Sequence, residues 1–258
     1  MSKILIGCDP EVFVKSGGQF VSAHGLIAGN KEDPQKVERG AVQVDGMALE
    51  FNIDPAHSEQ EFVLNVTHVF DILQRMVPNH ELAVVPVADF GADYIAAQPE
   101  EARMLGCDPD YNAWSGQVNE KPQAELPFRT ASGHVHIGWA EGLENHHDQC
   151  RASAIQMDFY LGLPSLFYDN DTRRREMYGN PGCYRPKPYG VEYRTLSNAW
   201  LLNKDRMAWV YRNAVKGMQD LMAGKYLFEK YGDIQDIIKK SDKKAAMKII
   251  KAEKLEMV

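Results

Sequence analysis

Four stretches of this chain place polar residues two positions apart inside otherwise apolar runs. They are Asp9 and Glu11 in GCDPEVFV, Glu50 and Asn52 in MALEFNI, His134 and His136 in GHVHIGW, and Glu192 and Arg194 in GVEYRTL. In a strand, residues i and i+2 project from one face, so each run predicts one wet face and one packed face. Asp9 and Glu11 share a face provided the strand runs through Pro10, which strands tolerate at a start or an edge. One such pair is weak evidence, because antiparallel sheets commonly carry solvated polar faces. Four pairs together offer carboxylates, imidazoles and a guanidinium, a set that suits hard divalent cations such as Mg²⁺ or Mn²⁺ better than zinc. Acids gathered without a cation repel one another and are costly to bury. Cations remove that penalty and can bridge nucleotide phosphates, while arginines stabilise charge as a phosphoryl group moves.

Each feature has a plainer reading. His134 and His136 could form a zinc pair with Glu192 as third ligand, which would make a metal-dependent hydrolase. Glu50 could point outward from an edge strand, and Glu192 with Arg194 could belong to a cross-strand ion pair. Arginine runs such as that in DTRRREMYGNPGCYRP, with Arg173, Arg174, Arg175 and Arg185, are usually solvated. Gly179, Pro181 and Gly182 argue instead for a shaped loop able to hold phosphate or carboxylate. The chain has no G-x-x-x-x-G-K-[ST], no G-x-G-x-x-G between a strand and a helix, and no G-x-S-x-G. A nucleotide would therefore bind through cations and arginines on a sheet.

The elements that must position these groups follow from pattern. KILIG, EVFVK, QFVSA and AVQVDGMALEFNI read as strands, punctuated by Gly18, Gly25, Gly29 and Gly46. Ser58 with Glu61 makes a capping box, and Phe62, Val66, Val69, Phe70 and Leu73 predict a helix up to Pro78. ELAVVPVADF reads as another strand, and 91–128 as long loops. After GHVHIGW come a helix around 145–162, an arginine- and glycine-rich loop over 169–190, the strand GVEYRTL and a long helix from near Asn198. From about 232 onward, Ile237, Ile238, Met247, Ile249 and Ile250 with a lysine-rich face predict one or two amphipathic helices. These are read as peripheral with a solvated face, an oligomer contact or anionic-ligand patch being the alternative.

With 258 residues, 44% of them hydrophobic and 25% charged, the chain can bury a sizeable core in one large domain or two small ones. A formal net charge of −7 argues against wholesale nucleic-acid wrapping. The N-terminal apolar run ILIG is too short for a signal-peptide core, and no run approaches a membrane span, so a cytoplasmic protein is expected. Cys8, Cys107, Cys150 and Cys183 are widely spaced, so free thiols are expected.

Six segments in order, GCDPEVFV, VDGMALEFNIDPA, LGCDPDYNAW, SGHVHIGW, RRREMYGNPGCYR and YGVEYRTLSNAW, resemble the phage-type carboxylate-amine ligases, type 2, a branch of the glutamine synthetase and glutamate-cysteine ligase superfamily. The resemblance runs from about residue 5 to 203 and leaves out the tail after about 230. It implies an α+β catalytic domain over 1–228, a curved antiparallel sheet with helices on its convex side, and a lysine-rich helical tail over 229–258. It also implies ATP in the concave face, a carboxylate phosphorylated to an acyl phosphate, and an amine that displaces phosphate to leave an amide. Carried over by motif, Asp9, Glu11, Glu50, His134 and Glu192 resemble ligands of Mg²⁺ or Mn²⁺. His136, Arg174 and Arg194 resemble residues at the nucleotide, and Arg194, Arg185 and Arg175 those holding the transferring phosphoryl group. Asp9 stands where the superfamily often has glutamate, and Asp45 could join Glu50, with Gly46 leaving its register open. Asp108 and Asp110, in the echo GCDPD, are general-base candidates by elimination, or else cap a turn or line the acceptor pocket. The implied partners are small-molecule or peptide carboxylates and amines, with no membrane and a homo-oligomer left open; if phage-encoded, the protein would work in the bacterial host cytoplasm. A phosphotransferase on a small acceptor and a non-catalytic metal- or nucleotide-binding module are the alternatives.

Overall fold

A computed structural model of the chain describes residues 4–104, 110–119, 126–139 and 146–258. Cys107 and Asp108 lie outside the described residues. In chain order the elements begin with β1 (Leu5–Ser16), β2 (Gln19–Val21), β3 (Gln35–Val37), β4 (Gly40–Asp45), β5 (Ala48–Ile53), α1 (Glu59–Met76), β6 (Glu81–Ala83) and β7 (Val87–Asp89). There follow α2 (Ala92–Ala96), α3 (Glu100–Arg103), β8 (Tyr111–Asn112), β9 (Phe128–Thr130), β10 (Gly133–Gly138), α4 (His147–Met157), α5 (Leu163–Ser165) and α6 (Arg173–Met177). The chain closes with β11 (Cys183–Lys187), β12 (Gly190–Tyr193), α7 (Lys204–Met222), α8 (Leu227–Tyr231), α9 (Gln235–Lys239) and α10 (Lys243–Glu253).

One strand organises the sheet. β1 runs unbroken through Pro10, pairing its first half with β10 and then meeting β5, β6 and β2 in turn. The ten-stranded antiparallel sheet takes the order β3-β4-β5-β1-β10-β12-β11-β8, with β2 and β6 also on β1. Alternation then sorts the side chains. Ile6, Cys8, Val12 and Val14 of β1, Leu49, Phe51 and Ile53 of β5, Val135 and Ile137 of β10, and Val191 and Tyr193 of β12 enter the main core. Against them pack Phe62, Val66, Val69 and Leu73 of α1, spaced to share one helix face, together with residues of α4 and α7. Burying four such apolar side chains contributes on the order of 6–12 kcal/mol before entropy is charged against it. Ser58 caps α1 by accepting from the Glu61 amide at 3.2 Å, and Glu61 accepts from the His57 amide at 2.7 Å.

Several elements depart from the pattern reading. AVQVDGMALEFNI is a hairpin, β4 and β5, turning at left-handed Gly46 (φ 58°) with Asp45 opposite Ala48. ELAVVPVADF is two strands, because Pro86 has no amide to continue a ladder, so β6 joins β1 and β7 joins β9 in a separate pair. The segment 91–128 contains α2, α3, β8 and the start of β9 rather than loops alone. The arginine-rich stretch is likewise a short helix and a strand, α6 and β11, joined by a turn through Gly179 and Gly182, both at φ 75°. A Cβ on Gly179 would sit 2.3 Å from the Arg174 guanidinium, so that turn closes only on glycine. Asn198–Leu202 is a 3₁₀ turn, and α7 starts after it with Asn203 as its cap. Beyond α7, Ile234, Ile238, Ile249, Ile250 and Leu255 join the main core while the lysines of α9 and α10 stay exposed. Among the described residues, no helix is long and apolar enough to cross a membrane. Cys8, Cys150 and Cys183 are free and buried.

Candidate active site

Antiparallel register places directly opposed residues on the same face. Asp9 opposes His134, and Glu11 opposes Glu50, which opposes Gln43. His136 opposes Glu192, which opposes Arg185. The four pairs seen in sequence thus share one sheet face, and β11 adds Arg185 with Lys187 two residues on.

On that face the donors form two adjoining groups, Asp9–His136–Glu192 and Glu11–Asp45–Glu50, whose ligand atoms lie within 4.8 Å of one another in each group. Asp45 reaches the second group from the hairpin turn. In the first, His136 Nε2 is 3.0 Å from Asp9 Oδ1, and His134 Nδ1 is 3.4 Å from both Asp9 Oδ1 and Glu192 Oε1. The compact donor set takes in His136, where the motif reading put His134. His134 adjoins the same carboxylates through Nδ1, which also lies 3.3 Å from Arg194 Nη1. Asp9 Oδ1 and the Nε2 atoms of both histidines are buried without a hydrogen bond. Asp9 Oδ1 and His136 Nε2 face each other as an ion pair, which leaves His134 Nε2 as the buried atom of the three with no counterpart among the described residues. Two oxygens with an imidazole in one group, and three carboxylates in the other, fit hard divalent cations.

The two groups differ in charge balance. Glu192 is fully buried and meets Arg194 Nη1, Arg185 Nη1 at 3.4 Å and Lys187 Nζ at 2.8 Å. Burial and Asp9 push its carboxyl up, but Arg194 and both histidines bring it down to about 2. Burial also opposes ionisation of Asp9, yet His136 and His134 hold it well below the usual carboxylate range. Burial, then Arg194, lowers His134 to about 4, so it is neutral at pH 7. His136 moves upward, because Asp9 and Glu192 outweigh its burial. In the all-carboxylate group, burial and Asp45 raise Glu11 to about 7, although the Ser132 amide donates to it at 2.7 Å. Burial, then Asp9, Asp45 and Glu11, puts Glu50 well above its ordinary value.

The arginines divide by position. Arg194 lies between the donor groups and the Tyr178 hydroxyl, which accepts from its Nη2. Arg185 borders the same face. Arg174 donates to the carbonyls of Thr195 at 2.6 Å and Arg194 at 3.2 Å and to Ser132 Oγ at 3.3 Å, clamping the backbone beneath the site. Of the other arginines named from the sequence, Arg173 pairs with Asp89 and Asp171 at the surface, and Arg175 is likewise off the face. It pairs with buried Asp169 at 3.3 Å and donates to Ser241 Oγ at 3.0 Å. Asp110 accepts from Arg194 Nε at 3.0 Å.

Two cavities flank the donors, with Asp9 and Glu50 on the wall of both. One, of about 770 Å³, is mainly apolar, with Trp139, Tyr189, Pro55 and Ile53 beside His136. The other, of about 110 Å³, combines Arg194, Arg185, Arg129 and Lys31 with Phe13, Met47 and Phe128. Lys187, Tyr178 and Tyr189 were not singled out from the sequence. Lys187 would have followed from Arg185 by the i, i+2 rule had β11 been recognised as a strand; the two tyrosines carry no local signal.

Residues 125–252 match the family model described as phage phiEco32-like COOH.NH2 ligase-type 2. The match supports that family. It extends through the helices after α7, which the motif resemblance had left out, and suggests a carboxylate-amine ligase. The matched segment holds His134, His136, Glu192 and the arginines, whereas Asp9, Glu11 and Glu50 lie outside it. The β1–β10 ladder joins the two portions of the site. No curated protein matches the chain.

Proposed function

We propose that this chain is an ATP-dependent carboxylate-amine ligase with a glutamine synthetase-like sheet, forming an amide through an acyl phosphate. The reading is carried by the two adjoining donor groups on one sheet face, with Arg194 and Arg185 beside them and a cavity on each side. Asp9, His136 and Glu192 would hold one Mg²⁺ or Mn²⁺, and Glu11, Asp45 and Glu50 a second. Such cations neutralise nucleotide phosphates and so ease phosphoryl transfer. The apolar cavity by Trp139 and Tyr189 suits the nucleobase, and the cavity lined by Arg194, Arg185 and Arg129 suits the carboxylate. Arg194 and Arg185 counter charge on the transferring group and then on the acyl phosphate; the amine attacks the acyl carbon and phosphate leaves. Buried free thiols and ATP use agree with a reducing cytoplasm.

The test is ADP and phosphate release that requires both an acid and an amine, with hydroxylamine intercepting the intermediate as a hydroxamate. If nucleotide binds yet no acid and amine pair from a broad panel produces turnover, the ligase reading is lost. ADP formed with neither phosphate nor amide would indicate a phosphotransferase.

A further inference from the structure

Three cations surround Glu192, but they are not equally free to leave it. The side chains of Arg185 and Lys187 are 21% and 28% exposed, whereas that of Arg194 is 6% exposed. The Tyr178 ring lies 5.5 Å from the Arg194 guanidinium carbon. If Glu192 turns its oxygens to a cation held with Asp9 and His136, the partly exposed Lys187 can follow solvent or substrate. Arg194 cannot, and a buried arginine left with no carboxylate would be strongly unfavourable.

Asp110 meets that need. Its Oδ2 accepts from Arg194 Nε at 3.0 Å and its Oδ1 from Asn119 Nδ2 at 3.0 Å, so both oxygens are committed. The hairpin that carries it, 110–119, is pinned from several sides. The Asn119 amide donates to the Asp110 carbonyl at 2.9 Å, Trp114 Nε1 donates to buried Asp158 at 2.6 Å, and Asn112 Nδ2 donates to Gln235 at 2.9 Å. A guanidinium fixed at Nε by Asp110 and at Nη2 by the Tyr178 hydroxyl keeps Nη1 turned toward Glu192.

We propose that Asp110 is the positioning residue of Arg194, a second and fixed counter-charge that holds this arginine in place while Glu192 binds a cation. The inference rests on the ligase reading in that it takes Asp9, His136 and Glu192 as cation ligands. It gives Asp110, the last acid of GCDPD, a task separate from that of Asp9 and Glu11, charge balance for Arg194.

The test is Mn²⁺ affinity, followed by electron paramagnetic resonance on the full chain, with circular dichroism to confirm folding. Asp110→Asn weakens Mn²⁺ binding about tenfold, a coupling of ordinary size between sites, because Arg194 then competes harder for Glu192. Asp110→Glu recovers part of the loss. Placed on Arg194→Met, Asp110→Asn causes no additional loss. Parental affinity in Asp110→Asn, an equal loss in Asp110→Glu, or additive effects of the Asp110 and Arg194 changes would each overturn the proposal. A parent protein that takes up no Mn²⁺ would instead remove the cation reading, and the need for a second counter-charge with it.

Discussion

Asp9, His136 and Glu192 stand among Arg194, Arg185 and Lys187, whereas the Glu11, Asp45 and Glu50 group has one salt bridge among the described residues, Lys31 to Asp45 at 3.9 Å. Both groups are drawn from neighbouring strands of one sheet and both are at least half-buried. In the first, protein cations keep carboxylates ionised, with Glu192 at about 2. In the second, like charges face one another and protons are retained, with Glu11 at about 7. The difference teaches that burial alone does not set the state of a carboxylate; the sign of its nearest neighbours does. The first group is stable as it stands, and the second is balanced by protons or by a cation.

Breaking the first group should cost most. Glu192→Gln removes a buried partner of Arg194, and denaturant unfolding should show a loss of about 3–5 kcal/mol. Glu50→Gln replaces a carboxyl already biased toward its neutral form, so without cations stability should stay within about 0.5 kcal/mol of the parent. Equal losses for the two variants would show that the charge contrast is not real.

Next comes pH. Glu11 has a folded-state value raised from 4.5 to about 7, so its contribution is fully present below 4.5 and is lost as pH rises through about 7. Cation-free stability should therefore fall over that window by up to about 3 kcal/mol from this group, and Glu11→Gln should flatten the profile. Glu192 behaves in the opposite sense: its contribution is present above 4.5 and is lost as pH falls toward 2. Urea melts at several pH values separate the two.

Cation binding sharpens the comparison further. Mn²⁺ at about 100 times its Kd should raise stability by about 2.7 kcal/mol. Because Glu11 and Glu50 must give up protons to ligate, uptake should release protons near neutral pH, and affinity should climb as pH rises. Titration calorimetry in buffers of different ionisation enthalpy measures this, and Glu50→Gln should suppress most of the release. In the first group, Lys187→Ala removes only a partly exposed cation and should change stability by no more than about 1 kcal/mol.

Much of the site was legible because strand geometry is local. The i, i+2 rule placed Asp9 with Glu11 and His134 with His136 using neighbours in sequence alone, and the Ser58 and Glu61 cap marked the start of α1. The placement of Arg175 was not legible, for a physical reason. Adjacent residues on a short helix point in different directions, so Arg174 clamps the carbonyls beneath the site while Arg175 turns to Asp169 and Ser241. Strand β11 was hidden by its proline and by the glycines before it, which read locally as loop. What made it a strand was the β12 ladder.

Residue types and periodicity by themselves determined that this chain has a sheet with one polar face, a helix from Ser58, and a store of acids, histidines and arginines suited to cations and phosphate. Tertiary structure alone decided how those groups divide. Register set Glu50 against Glu11, the left-handed turn at Gly46 carried Asp45 to the same group, and the 110–119 hairpin brought Asp110 to Arg194 from 84 residues away. Charge balance depends on distances between side chains far apart in sequence, and only the folded backbone sets those distances.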